Sequence, residues 1–294
     1  MILTYIDNFI KRVNEEKLPI EAIVLANKDS ILKEHRFTWV DTRNIYSHTK
    51  SVSAIVIGIA VKENIISTED YLVEVLKDEL PENYDHNISK IQLKHLLMMA
   101  SGFDVDFLMG VVKGVPYAEP DYLKFMLSQK LKKEPGSAFK YSNGDTYLAV
   151  RMLEKKLGYP VQLYYYEKLF KPLNMGNPVI QTDLQGRVFG ASGLHLSILD
   201  QIKLGQYLLG NHEIDQKYFT EMKSPLISPG GRDSYGYQFW IRNPTRDWYM
   251  MCGAFGQHTY ILTDLGLVIS TQCPDNQEPV RLFEVFDEEV LSKL

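Results

Sequence analysis

A serine and a lysine lie three residues apart at the start of a long apolar stretch, as Ser47 and Lys50. This spacing puts two side chains on one face of a helix, one turn apart. Burial lowers the pKa of a lysine, and such a lysine can take the proton of a neighbouring hydroxyl. The pair could therefore form a serine nucleophile with its base. In the alternative, structural interpretation, Ser47 caps the helix and Lys50 reaches solvent.

The stretch behind this pair predicts a buried helix. Between Lys50 and Lys62 the sequence has no charge, and its apolar residues fall on every side of a helical wheel. A helix that is apolar all round is buried in a core. The run is too short to span a bilayer, and it lacks the alternation that indicates a strand. The N-terminus of such a helix would add a partial positive charge near Ser47.

A second candidate group follows the turn at residues 134–137 and precedes a predicted helix. Tyr141 and Asn143 are two residues apart there and could project in the same direction. A tyrosine hydroxyl near a lysine can relay protons. The alternative is an ordinary helix entry, in which Ser142 or Asn143 is the N-cap and Tyr141 is a packing residue.

A third candidate group lies between two predicted strands, at residues 253–257. Gly253 would permit the close approach of another backbone or of a ligand. A free backbone N–H at Ala254 could complete an oxyanion hole together with the N–H of Ser47. The alternative is a turn or bulge without chemistry, which would also explain the glycines.

Composition narrows the class of protein. The 294 residues carry a formal net charge of -5 and show no basic stripe, which argues against a nucleic-acid partner. The two cysteines, Cys252 and Cys273, form no metal-binding motif, and no cofactor is expected. The N-terminus has no basic segment followed by an apolar core, and no apolar run reaches membrane-spanning length. We therefore expect a cytoplasmic protein without a membrane partner.

The order of predicted elements indicates an α+β fold in a single domain covering residues 1–294. A helix at 3–16 and a hairpin at 20–40 precede the Ser47 helix. Helices are predicted at 93–100, 121–130, 146–157, 161–170 and 196–209. Strands are predicted at 235–241 and 248–252, followed by a hairpin at 257–272 and a helix at 279–294. We expect one antiparallel sheet from both chain ends (about 1–64 and 233–294), flanked by the terminal helices, with a mostly helical insertion at about 65–232.

Several segments, in order, resemble the class C β-lactamase-like serine hydrolases. They are the S-x-x-K of Ser47 and Lys50 and residues 91–102 (IQLKHLLMMASG), 135–143 (PGSAFKYSN), 169–176 (LFKPLNMG) and 190–200 (beginning GASGL). The family includes penicillin-binding D,D-peptidases, EstB-type esterases and 6-aminohexanoate-dimer hydrolases. The resemblance covers roughly residues 20–275, and the Tyr-Ser-Asn at 141–143 points to the class C branch.

The resemblance implies a role for each candidate residue. Ser47 would be the acylated nucleophile, Lys50 its base or proton relay, and Tyr141 the partner acid and base. Asn143 would orient either the substrate or Lys50. The backbone N–H groups of Ser47 and Ala254 would form the oxyanion hole beside Gly253.

One segment departs from the family pattern. The third box is usually Lys-Thr-Gly or His-Thr-Gly, whereas this chain has Met251, Cys252 and Gly253. In the family the cation and the hydroxyl help to bind the carboxylate of penicillins and peptides, so acidic substrates should bind poorly here. His258 could substitute as a cation, although a paired or exposed histidine is the simpler interpretation. We expect no role for His48.

The leading hypothesis is a serine hydrolase that cleaves a small ester or amide. A non-catalytic binding or sensor protein on the same fold is the second, and a β-lactamase or D,D-peptidase is the third. We expect residues 103–120 and 211–232 to shape the pocket. The sequence leaves the natural substrate and the oligomeric state open.

Overall fold

The computed structural model describes residues 1–110, 120–176, 178–231, 233–243, 245–276 and 278–294. Its main feature is an eight-stranded sheet, whose strands are β1 (Ala22–Asn27), β2 (Ile31–Arg36), β5 (Ile227–Gly230), β6 (Asp233–Tyr235), β7 (Trp240–Asn243), β8 (Trp248–Cys252), β9 (His258–Leu262) and β10 (Leu267–Gln272). They lie in the order β2-β1-β10-β9-β8-β7-β6-β5, and every neighbouring pair is antiparallel. The first two strands come from one end of the chain and the other six from the opposite end, so the predicted α+β fold with one antiparallel sheet from both ends is confirmed. A separate two-stranded ladder joins β3 (Arg43–Asn44) to β4 (His195–Leu196).

Helices cover both faces of the sheet. The terminal helices α1 (Ile2–Glu16) and α10 (Val280–Glu289) pack together on one face, where Phe9 and Phe286 meet edge to face at 5.3 Å. The other face carries α2 (His48–Lys62) and α8 (Ile198–Leu209). The remaining helices are α3 (Leu72–Val75), α4 (Leu93–Leu97), α5 (Tyr122–Leu127), α6 (Asn143–Leu157), α7 (Val161–Tyr165) and α9 (Gln216–Met222).

The predicted buried helix is α2, and its burial follows from its position. It contacts strand β8 on one side and helices α6 and α9 on the others. Every residue from His48 to Ala60 is buried. An apolar surface on all sides is therefore matched by apolar neighbours on all sides. No helix in the described part of the chain is long and apolar enough to cross a membrane.

The single strand predicted at 235–241 is wrong, because a turn divides it. Strand β6 ends at Tyr235, the Gly236 N–H donates to the Phe239 carbonyl at 3.0 Å, and β7 begins at Trp240. Gln238 occupies the left-handed region at φ 63°. Its buried side chain donates to the carbonyls of residues 96 and 97 and accepts from Thr146 Oγ1. These distant partners stabilise the turn, and nothing within the segment itself indicates them.

Other boundaries shift by a few residues. Helix α6 begins at Asn143 rather than at residue 146, and α8 begins after Ser197, whose hydroxyl caps it by accepting from the Asp200 N–H. Strands return at β5, slightly before the predicted end of the insertion at 232. Of the segments expected to shape the pocket, residues 111–119 and 232 lie outside the described residues.

Close packing of α8 on the sheet gives the first prediction. A Cβ at Gly205 would lie 2.4 Å from Val268 Cγ1. Alanine at an open helix position would stabilise the protein by about 1 kcal/mol. Here we expect Gly205→Ala to lower the free energy of unfolding by about 1–3 kcal/mol, since the core is overpacked. Urea titration would measure this. In the Val268→Ala background, which removes the clash, the same change should cost less; an equal cost in both backgrounds would contradict the packing argument.

Candidate active site

Ser47 lies at a sharp turn just before α2. The preceding residue, Tyr46, has φ 48°, a left-handed conformation that is uncommon outside glycine. The Tyr46 N–H donates to Asn44 Oδ1 at 2.8 Å, which holds this turn. Ser47 occupies the N-cap position, but its side chain makes no capping hydrogen bond. Ser47 is thus the N-cap by position, as the alternative predicts, but its hydroxyl does not cap the helix and is available for another contact.

The Lys50 side chain turns into the protein interior, and only 1% of the residue is exposed. Its Nζ donates to Ser47 Oγ at 3.2 Å, to Asn143 Oδ1 at 2.5 Å and to the Ala191 carbonyl at 2.8 Å. An ammonium group can donate to all three oxygens, whereas a neutral amine donates to two of them and can accept the Ser47 proton with its lone pair. Burial lowers the pKa of Lys50 to about 7, and the neighbouring Cys252 has a smaller effect in the opposite direction. The alternative interpretation, in which Lys50 reaches solvent, is therefore wrong.

Tyr141 lies beside both members of this pair. Its ring centroid is 4.9 Å from Lys50 Nζ. Burial raises the pKa of the Tyr141 phenol well above its ordinary value, and a hydrogen bond with Ser47 lowers it by a smaller amount. The phenol is therefore neutral at ordinary pH and keeps a proton next to the serine hydroxyl.

Asn143 is the first residue of α6 and contacts Lys50 directly. Ser142 caps this helix, since its Oγ accepts from the Gly144 N–H at 3.1 Å. The Asn143 amide spans two groups: its Oδ1 accepts from Lys50, and its Nδ2 donates to the Leu108 carbonyl at 3.1 Å. Ser142 is therefore the N-cap, as the helix-entry interpretation predicts, and this entry places Asn143 against Lys50. The contact with Lys50 fits one of the two roles expected for Asn143, and the other is a contact with the substrate.

Gly253 brings the end of β8 against the Ser47 turn. A Cβ at this position would lie 2.1 Å from the Ile45 carbonyl oxygen, so only glycine fits. Beyond it, Ala254 begins a short 3-10 turn, and the Phe255 ring meets the Tyr46 ring at 4.9 Å. The predicted close approach of a second backbone is therefore present, and its partner is the turn that carries Ser47.

The three residues of the third box carry no positive charge, and the cation that acts most on Cys252 is Arg242 of the neighbouring strand β7. Met251 is fully buried in the core, and the Cys252 Sγ lies 3.2 Å from His258 Nε2. His258 Nδ1 lies 3.2 Å from the Tyr260 hydroxyl. Burial lowers the pKa of His258 to about 3, so the ring is neutral. His258 is a buried, paired histidine and does not replace the missing cation.

One group of the site is a backbone carbonyl, which no pattern of side chains predicts. The Ala191 carbonyl, which accepts from Lys50, belongs to the segment 190–194 that resembles the family. The Gly190 carbonyl next to it accepts from Ser53 Oγ at 2.7 Å, which ties the segment to α2. The motif could have pointed to this segment, although not to the carbonyl contact. Within the described residues, no group of three or more His, Cys, Asp or Glu side chains could hold a metal ion.

Solved structures similar to this chain include two hydrolases by name. "Putative 6-aminohexanoate-dimer hydrolase from Bacillus anthracis" is 19% identical with a TM-score of 0.78, and the match covers 96% of this chain and 80% of that chain. "EstCE1, a hydrolase with promiscuous acyltransferase activity" is 12% identical with a TM-score of 0.81, over 98% of both chains. At these identities the likeness concerns the fold.

A curated relative and a family model give the sequence-level result. The chain is 22% identical over 267 residues to "Putative penicillin-binding protein PbpX" of Bacillus subtilis (strain 168). That match covers 80% of this chain, which spans 64% of the relative's length. The sequence model of the family described as Beta-lactamase matches residues 41–283. The resemblance drawn from the sequence is confirmed at this level: the chain belongs to the Beta-lactamase family.

Proposed function

We propose that this protein is a serine hydrolase that cleaves an ester or amide bond through an acyl-enzyme on Ser47. The observation that carries the proposal is the buried Lys50, whose pKa of about 7 and 3.2 Å contact with Ser47 Oγ suit a general base at neutral pH. The family and the hydrolases among the similar structures support it. A binding protein would have no need of a lysine held in this state.

In the acylation step, neutral Lys50 takes the Ser47 proton as Oγ attacks the substrate carbonyl carbon. The resulting ammonium is held by Asn143 Oδ1 and the Ala191 carbonyl. The Tyr141 phenol gives its proton to the leaving oxygen or nitrogen as the bond from that atom to carbon breaks, and the proton that Lys50 took from Ser47 replaces it. Water then attacks the acyl carbon and loses a proton to Lys50. The bond from carbon to Ser47 Oγ breaks, Oγ takes the proton back, and the carboxylic acid leaves.

The negative charge of the tetrahedral intermediate requires hydrogen-bond donors. The backbone N–H groups of Ser47 and Ala254 are the proposed pair, and Gly253 allows the second to approach the first. The neutral third box favours uncharged substrates over penicillins and peptide carboxylates, because Met251 and His258 provide no positive charge.

The first test of the proposal is the replacement of the nucleophile. We expect wild-type protein to hydrolyse p-nitrophenyl acetate and butyrate, and Ser47→Ala to lose at least about 10³-fold of that rate. Intact-mass spectrometry should detect an acyl adduct on the wild type only. Thermal unfolding would control for the fold. An adduct without turnover would indicate a penicillin-binding type of trap, and hydrolysis that does not depend on Ser47 would refute the mechanism.

The second test uses the pKa of Lys50. Only neutral Lys50 accepts a proton, so we expect kcat/KM to fall about tenfold per pH unit below pH 7. In Asn143→Asp a carboxylate replaces the amide 2.5 Å from Nζ, and this favours the ammonium form. The pH range in which kcat/KM rises should therefore move about one to three pH units higher. Asn14→Asp, on an exposed residue of α1, is the matched control. If kcat/KM of Asn143→Asp rises over the same pH range as in the wild type, Lys50 is not the titrating base.

The third test concerns the backbone contact at Gly253. We expect Gly253→Ala to push β8 away from the Ile45 carbonyl and to lower kcat about 10²–10³-fold, as the loss of an oxyanion donor does elsewhere. Gly176→Ala is the control, because a Cβ there meets its nearest atom at an ordinary 3.7 Å. If Gly253→Ala folds and retains wild-type kcat, Ala254 does not belong to the oxyanion hole.

A further inference from the structure

A cavity of about 600 Å³ lies between the sheet and helix α10. Its floor is apolar and buried, with side chains from β8, β9 and α10 that include Met250, Tyr260 and Phe286. The cavity opens to solvent at the exposed residues Arg242, Asp287 and Ser292, and its volume lies within the range of roughly 300–1,000 Å³ that ligand pockets have.

The cavity shares a wall with the candidate active site. Trp240, at the start of β7, lines the cavity and stacks on the Tyr141 ring, with centroids 5.9 Å apart and planes 30° apart. Tyr235 meets Trp240 edge to face at 5.0 Å, and Phe139 meets Tyr235 in the same way at 5.2 Å. Trp240 thus contacts both the phenol beside Ser47 and the cavity, and the buried Tyr235 packs against it.

A second set of contacts joins the cavity to the end of β8. Cys252, which precedes Gly253, contacts His258, and the His258 ring stacks on Phe283 at 4.6 Å. Phe283 and Tyr260, the other partner of His258, both line the cavity. The side chains that separate the cavity from the proposed oxyanion segment are therefore uncharged as well as closely packed.

The rim of the cavity indicates the charge of its occupant. Arg242, Asp287 and Ser292 lie there and are exposed. One cation and one anion leave the rim without a net charge, and the other lining side chains are aromatic or aliphatic, with two phenols among them, Tyr249 and Tyr260. Such a site favours an uncharged apolar group.

We propose that this cavity is the subsite for the acyl arm of the substrate, and that the arm is an uncharged medium-chain group that passes over Trp240. This assignment rests on the proposed serine hydrolase function. It deepens that function by naming the class of substrate: esters or amides of medium-chain apolar acids.

Chain-length kinetics test the assignment. Each buried CH₂ contributes about 0.8 kcal/mol, or roughly fourfold, so kcat/KM for p-nitrophenyl octanoate should exceed that for the butyrate at least about tenfold. Ser292→Trp places a large ring at the rim and should reduce this octanoate-to-butyrate ratio at least about fivefold. Lys293→Trp, at the next residue and outside the cavity lining, is the matched control and should preserve the ratio. A flat chain-length profile in active wild-type protein would overturn the subsite.

A binding measurement separates this assignment from the proposed function. Trp240 and Trp248 line the cavity, whereas Trp39 is 89% exposed and away from it, so Trp39→Phe removes the background emission. In the Trp39→Phe, Ser47→Ala double variant, p-nitrophenyl octanoate should quench tryptophan emission saturably, and Ser292→Phe, which adds a ring at the rim but no indole, should weaken its binding at least about fivefold. The same binding in a wild type that hydrolyses no ester would refute the hydrolase and keep the cavity as an apolar ligand site. If the wild type hydrolyses esters but the double variant shows no saturable quenching, the subsite is refuted and the hydrolase proposal stands.

Discussion

The removal of Lys50 from water is the constraint on which the site depends. Lowering its pKa from 10.5 to about 7 corresponds to roughly 5 kcal/mol against the charged form. Between those two pH values the unfolded chain binds the proton more tightly than the native protein does, so this group opposes folding at neutral pH. The apolar contacts of α2 with β8, α6 and α9 must offset that cost. The fold thus holds the lysine in a state that free solvent would not allow.

Local sequence patterns predicted the parts of this site that lie on one segment. The spacing of Ser47 and Lys50, together with the all-round apolarity of α2, predicted a serine beside a buried lysine, but the alternative of a lysine that reaches solvent stayed open until the downstream motifs were added. The contact between Lys50 and Asn143 joins residues 93 positions apart, and only the order of family motifs suggested it. The Ala191 carbonyl could not be predicted as an acceptor, because a backbone oxygen is the same in every residue. The turn at Gln238 was missed for a related reason, since its hydrogen-bond partners come from α4 and α6.

In the third box, the backbone is constrained at Gly253, whereas the side chains at Met251 and Cys252 differ from the family pattern. Gly253 is fixed by the Ile45 carbonyl, so any side chain there would displace the backbone that carries the proposed oxyanion donor. The Met251 side chain is buried in the core, and the Cys252 thiol contacts the neighbouring His258. The sequence could therefore depart from the family pattern at these two positions while the backbone arrangement stayed intact.

The buried turn between β6 and β7 has a mechanical consequence. The Gln238 carbonyl accepts from Ser51 Oγ at 2.6 Å, and Ser51 is one residue beyond Lys50 on α2. The turn that carries Trp240 is thereby tied to the helix that carries the lysine, and through the Gln238 side chain it is also tied to α4 and α6. Hydrogen bonds accordingly fix the turn that precedes Trp240 relative to the helix that carries Lys50. A substrate group that meets Trp240 would therefore meet a preformed surface, because the entropy of ordering it is already lost when the chain folds.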